Sequence, residues 1–153
     1  MTAQPTTAFH ESLRQRFVEM TPHIRECGMT VGRLDAEATI VTLPWREEWL
    51  GDTERGLIHP GIVTTLVDSA CGAALLAHLG QPEPIATLDL RMDYLRPARR
   101  DLPVHCRASC LRLTRSIAFM QALAWQTDEA EPIATAQGAF MRSGKRRPLN
   151  ELA

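Results

Sequence analysis

Residues 59–80 read HPGIVTTLVDSACGAALLAHLG, and this stretch decides the fold. From Ile62 to Leu79 most side chains are apolar or small, and Asp68 is the lone carboxylate. Pro60 suits the first turn of a helix, where its missing N–H would have no intrahelical partner. Gly80 supplies a stop, and Pro82 and Pro84 prevent continuation. The run has the length of a membrane span. It also carries Thr64, Thr65, Asp68, Ser69, Gly72 and His78, which fit a buried core helix better.

On the N-terminal side, Leu13, Phe17 and Met20 fall at helical spacing, which predicts a short amphipathic helix over residues 9–20, ended by Thr21-Pro22. Residues 29–43 alternate loosely and read as one or two strands stopped by Pro44. Residues 45–58 read as a polar loop. Beyond the helix the period changes to two. Leu88, Leu90, Met92 and Tyr94 alternate with Asp89, Arg91 and Asp93 within a strand over 85–97. Strands over 104–113, 117–126 and 133–141 follow with short connections, which predicts an antiparallel meander. A helix this apolar must be covered on most of its surface. A single antiparallel sheet curled around it does so, which is a hotdog arrangement of the α+β class. Ala70, Gly72, Ala73 and Ala74 offer close approach between the two layers.

The 153 residues fit one domain, with a core over 23–142 and a basic tail at Lys145, Arg146 and Arg147. That tail reads as solvated, with a local phosphate contact as the alternative. A net charge of −1 gives no broad basic field, so neither nucleic acid nor an anionic membrane is an expected partner. The opening residues 1–7 are polar and unlike a signal peptide, so the expected location is the cytoplasm. Cys27, Cys71, Cys106 and Cys110 form no CxxC pair and read as reduced thiols, with no metal site among them.

Two features point to chemistry. An ionised acid in an apolar helix is expensive to bury without partners, so Asp68 must be hydrogen-bonded or face a cleft or a subunit interface. His59-Pro60-Gly61 starts the same helix, where unpaired N–H groups and a partial positive charge can polarise a carbonyl. Gly61 permits close approach of a ligand to the backbone. Structural roles, an acid paired with a strand and a capping histidine, are the plain alternatives.

HPGIVTTLVDSACG (residues 59–72), TLDLRMDYLRPA (87–98) and ATAQGAF (134–140) together resemble the PaaI-type acyl-CoA thioesterases of the hotdog superfamily. The resemblance implies hydrolysis of an acyl-CoA thioester to free acid and coenzyme A. It places the family acid, a general base or nucleophile, at Asp68 and the family histidine at His59. Thr87 falls on the strand facing the helix, where it would place the attacking water. Arg96, Arg99 and Arg100 are within reach of coenzyme A phosphates. The resemblance further implies a homodimer or a dimer of dimers whose site spans the subunit interface, with no cofactor beyond the substrate's own coenzyme A. This chain departs from the family's His-Gly-Gly. The first glycine's amide is replaced by Pro60, which has no N–H, leaving Gly61 N–H as the expected substitute. That departure admits a non-catalytic acyl-CoA-binding module as an alternative. A hotdog dehydratase is a further one, although its acid would follow the glycine by five residues rather than seven. The acyl group is not legible in the sequence; Trp45, Trp49, Tyr94 and Leu95 are candidates for lining its pocket.

Overall fold

The structure, a computed structural model, describes residues 7–144. The basic cluster Lys145–Arg147 and the first residues of the chain lie outside the described residues. Two helices open the described chain, α1 (Thr7–Glu19) and the short α2 (Pro22–Glu26), which begins where the sequence predicted only a break. Pro22 does both: it cannot continue α1, and its fixed φ suits the first position of a new helix.

Strands β1 (Thr30–Leu34) and β2 (Thr39–Leu43) follow. The expected loop holds a 3₁₀ turn and a small ribbon, β3 (Leu50–Asp52) with β4 (Leu57–Ile58). The central helix α3 runs Pro60–Leu79 and is followed by β5 (Ile85–Tyr94), β6 (Val104–Leu113), β7 (Ile117–Trp125) and β8 (Ala134–Arg142). Gly80 ends α3 in the left-handed conformation, φ 64°, and its N–H returns to the last turn.

The six longer strands form one antiparallel sheet in the order β1-β2-β6-β7-β8-β5. Alternate residues of β2, β6, β7 and β8 are buried, among them Val41, Cys106, Met120 and Phe140, so one face of the sheet meets α3. On the helix, Val63, Leu66, Val67, Ala70, Cys71, Ala74 and Leu75 fill the other side of this core. Ala70, Ala73 and Ala74 are fully buried as expected. Gly72 is not needed small, since a Cβ there would meet only Ile85 Cδ1, at 3.8 Å. The α+β hotdog architecture read from the sequence is the one observed.

The expected meander is corrected in one respect. Only β6-β7-β8 run in sequence order, and β5 lies beyond β8 at the sheet edge. The chain therefore recrosses about 14 Å of sheet from β5 to β6, three strand spacings. The connection after Tyr94 does so over the start of α3. Its Ala98 carbonyl accepts from Ile58 N–H (2.9 Å), and Arg100 N–H donates to the Gly56 carbonyl (2.9 Å). Local periodicity carries no information about such a crossover.

A second correction lies within β5. Thr87 pairs with the buried Phe140 and Leu90 with the buried Gly138, so a bulge at Leu88 interrupts the alternation. Leu88 is extruded and 56% exposed, whereas strict period two places it beside Leu90 on the inner face. Below the strand's start, Glu83 is 2% exposed. It accepts a two-pronged bond from Arg142 (2.9 and 2.8 Å) and a third from Gly144 N–H (2.7 Å), tying the exit of α3 to the end of β8.

Candidate active site

Asp68 sits in the middle of α3, half-buried, flanked by the buried Val67, Ala70 and Cys71. Its Oδ1 accepts a hydrogen bond from Thr87 Oγ1 at 2.8 Å. The bulge at Leu88 makes this contact possible, because it turns Thr87 toward the helix. The acid and the hydroxyl singled out in the sequence are therefore brought together. Cys71, one turn on, is fully buried, and its thiol is pushed up to about 12 by burial and then by the Asp68 charge. It remains a protonated core thiol and is no nucleophile at neutral pH.

His59 caps α3. Its Nδ1 accepts from Gly61 N–H at 2.9 Å, its carbonyl accepts from Ile62 N–H at 3.2 Å, and its own N–H donates to the Trp49 carbonyl at 2.7 Å. The Gly61 amide, expected from the sequence to face a substrate carbonyl, is thus engaged by the capping ring. An N–H has one hydrogen to give.

Beside it, the Tyr94 hydroxyl donates to the Pro60 carbonyl (3.0 Å), and the Thr64 hydroxyl shares a 2.6 Å bond with the phenol oxygen. Tyr94 lies on the inner face of β5, like Leu90 and Met92, and so reaches the helix start. Its position at the end of a period-two strand was the available clue to this contact.

The helix start opens into a cavity of about 670 Å³. Ile58, Val63, Leu95, Ala98 and Ile133 give it apolar walls, and His59, Tyr94 and Arg96 contribute polar groups. Asp68 is not in its lining. Nine residues along a helix correspond to about 13 Å, so within one chain Asp68 and His59 do not meet a common atom. Trp45 and Trp49 pack against the core rather than line the cavity. Of the three arginines, Arg96 pairs with Glu131 (3.4 Å), and Arg100 lies between Glu47 (3.7 Å) and Asp101 (3.6 Å). Arg99 has no ion pair among the described residues, and its backbone is held by Gln126 (2.8 Å). Among the described residues no three His, Cys, Asp or Glu side chains gather as metal ligands would.

The family model of the thioesterase superfamily matches residues 55–133, a segment holding the helix start, Asp68 and Thr87. The chain belongs to the thioesterase superfamily. Within it the likeness is to PaaI-type proteins. The phenylacetic acid degradation protein PaaI of Thermus thermophilus, solved as a point mutant, superposes with a TM-score of 0.70 at 27% identity over 80% of this chain and 99% of that one. A crystal structure from Pseudomonas aeruginosa reaches 0.78 at 37% identity, over 88% and 98%. The medium/long-chain acyl-CoA thioesterase YigI of Escherichia coli is 26% identical over 140 residues, 83% of this chain and 89% of YigI. The protein VNG_1336C of Halobacterium salinarum is 37% identical over 90 residues, and this match spans 60% of that relative's length.

Proposed function

We propose that this thioesterase-superfamily chain hydrolyses acyl-CoA thioesters, with Asp68 as general base toward water or as nucleophile. One observation carries the reading. The single carboxylate on an apolar helix is left accessible and held by the Thr87 hydroxyl, where a buried apolar residue would pack as well. The base route balances with water alone. Asp68 takes a proton from water, the oxygen bonds to the acyl carbon, the carbon–sulfur bond breaks, and the proton passes to sulfur, so that coenzyme A leaves as the thiol. Thr87 holds the carboxylate and lies where the water must stand. The thioester carbonyl lies at the start of α3, by His59, Pro60 and Gly61.

The two half-sites, about 13 Å apart in one chain, converge in a homodimer. β5 is a sheet edge with unpaired backbone groups on its outer side. It carries Thr87 near its start and Tyr94 at its end. Antiparallel pairing of two β5 strands about a twofold axis near the middle of the strand lays the Thr87–Asp68 end of one copy toward the Tyr94–His59 end of the other. The exposed Tyr94 and Leu95 support this arrangement, and two such dimers give the dimer of dimers. Arg99, with no ion pair among the described residues, is the first choice for coenzyme A phosphates, with Arg96 and Arg100 beside it. The apolar cavity suits an acyl chain or ring.

Steady-state thiol release over a panel of short, medium, long-chain and aryl CoA esters tests the activity. Asp68→Asn is expected to lower kcat by about 10²–10⁴ with an unchanged far-UV spectrum and melting temperature. Turnover that survives the substitution sinks the assignment of Asp68. A second reading, a non-catalytic acyl-CoA-binding module, is favoured by the missing Pro60 N–H and the engaged Gly61 N–H; tight binding without turnover in the wild type selects it.

A further inference from the structure

A thioester carbonyl becoming an oxyanion needs a donor, and the first backbone amides of α3 have none to spare. Pro60 has no N–H, Gly61 N–H is bonded to His59 Nδ1, and Ile62 N–H to the His59 carbonyl. The first of these bonds has a further consequence. A neutral imidazole that accepts through Nδ1 carries its proton on Nε2. Nε2 has no partner among the described residues, and the ring borders the 670 Å³ cavity.

The ring also sits in a fitted space. A Cβ on Gly51, in β3, would lie 3.0 Å from His59 Cα and Cβ and 3.2 Å from Cδ2. A Cβ on Gly61, in α3, would lie 2.9 Å from Nδ1 and 3.1 Å from Cε1. Two glycines on two different elements thus leave the volume that the imidazole fills. The 2.7 Å bond from His59 N–H to the Trp49 carbonyl anchors its backbone between them.

We propose that His59 Nε2–H is the donor that polarises the thioester carbonyl in this chain, in place of the amide that Pro60 removes, and that Gly51 is its positioning residue. The inference rests on the thioesterase reading above. As the water oxygen bonds to the acyl carbon, the carbonyl π pair moves onto oxygen, which accepts the Nε2–H bond. The proton stays on the imidazole throughout. When the carbon–sulfur bond breaks, the pair returns to the carbonyl and Asp68 delivers the water proton to sulfur.

A capping role and a donor role are separated by His59→Ser. A serine hydroxyl caps a helix and accepts from Gly61 N–H, but puts no donor where Nε2–H stood. The expected result is a kcat lower by about 10²–10³, with KM within about threefold and the melting temperature kept. Adding Pro60→Gly to His59→Ser returns an amide to the helix start and is expected to recover at least about tenfold in kcat. Gly51→Ala, which crowds the ring, is expected to lower kcat by a smaller factor without touching the acid. A His59→Ser enzyme within about threefold of wild-type kcat, or a double variant no faster than His59→Ser, overturns the proposal. If His59→Ser itself melts early, His59→Asn, which offers both a cap oxygen and an N–H, must retain more turnover than His59→Ala, or the proposal fails. Asp68→Asn, run alongside, separates the two ideas. Loss there with retention in His59→Ser removes only the role of His59, retention in Asp68→Asn removes the role of Asp68, and a wild type that binds acyl-CoA without releasing thiol removes the thioesterase reading itself.

Discussion

The two ends of β5 grip α3 in different ways. Near its start the strand offers an exposed hydroxyl to a half-buried side-chain carboxylate, Thr87 to Asp68. At its end it offers a phenol to a backbone carbonyl, Tyr94 to Pro60, at the rim of a cavity. The first contact sets the position of a group able to accept a proton; the second sets the position of the helix itself. A helix end with satisfied caps holds its shape without Tyr94, whereas Asp68 among apolar neighbours is held, among the described residues, by the Thr87 hydroxyl. The contrast separates chemistry from placement on a single strand.

The largest way to break this picture acts beneath the chemical end. Glu83→Ala removes a buried carboxylate from the partly buried Arg142 just before β5 begins, and losing one member of a buried pair costs up to about 3–5 kcal/mol. Chemical denaturation checks it, and a change below about 1 kcal/mol contradicts the clamp. Burial raises the Glu83 carboxyl, but the bonds from Arg142 and Gly144 outweigh it, so its pKa lies below the usual value. The stability it contributes is complete above the ordinary carboxylate range and fades as pH falls through the lowered value. Wild-type and Glu83→Ala melting curves should therefore converge in acid.

A smaller effect is expected at Thr87. Removing its hydroxyl with Thr87→Val leaves the strand intact and should lower kcat about tenfold, the value of roughly one hydrogen bond to a charged group. No change in kcat would show that Asp68 is oriented by something else. The smallest effect belongs to Tyr94→Phe. Loss of its bond to Pro60 should cost about 0.5–1 kcal/mol in melting experiments and raise KM more than it lowers kcat. A kcat loss matching that of Thr87→Val would erase the contrast between the two ends.

The sequence made the large features legible because they are local. The helix at Pro60–Leu79 has its proline, its apolar run and its glycine stop, and the strands have their period of two. Asp68 stood out for the same reason, as one charge in an apolar run. What stayed hidden depends on distant partners. β5 lies beside β8 rather than β6, because nothing in a strand's own alternation names its neighbour. Glu83 and Arg142 meet across 59 positions of chain. The Gly61 amide looked free until the ring of His59 was seen to cover it. Leu88 fits the alternation so well that only the pairing with β8 reveals it as the extra residue.

That extra residue has a consequence in simple counting. Thr87 and Tyr94 are an odd number of positions apart, so a strand of strict alternation shows one of them to the helix and the other to the outside. The bulge inserts half a period between them and lets both face inward. β5 is in effect two short strands joined out of phase, one indexed to the acid and the other to the helix start. An aligned relative without the bulge carries its inward hydroxyl one column away from this one. A redesign that regularises the strand keeps every residue of the site and loses the site.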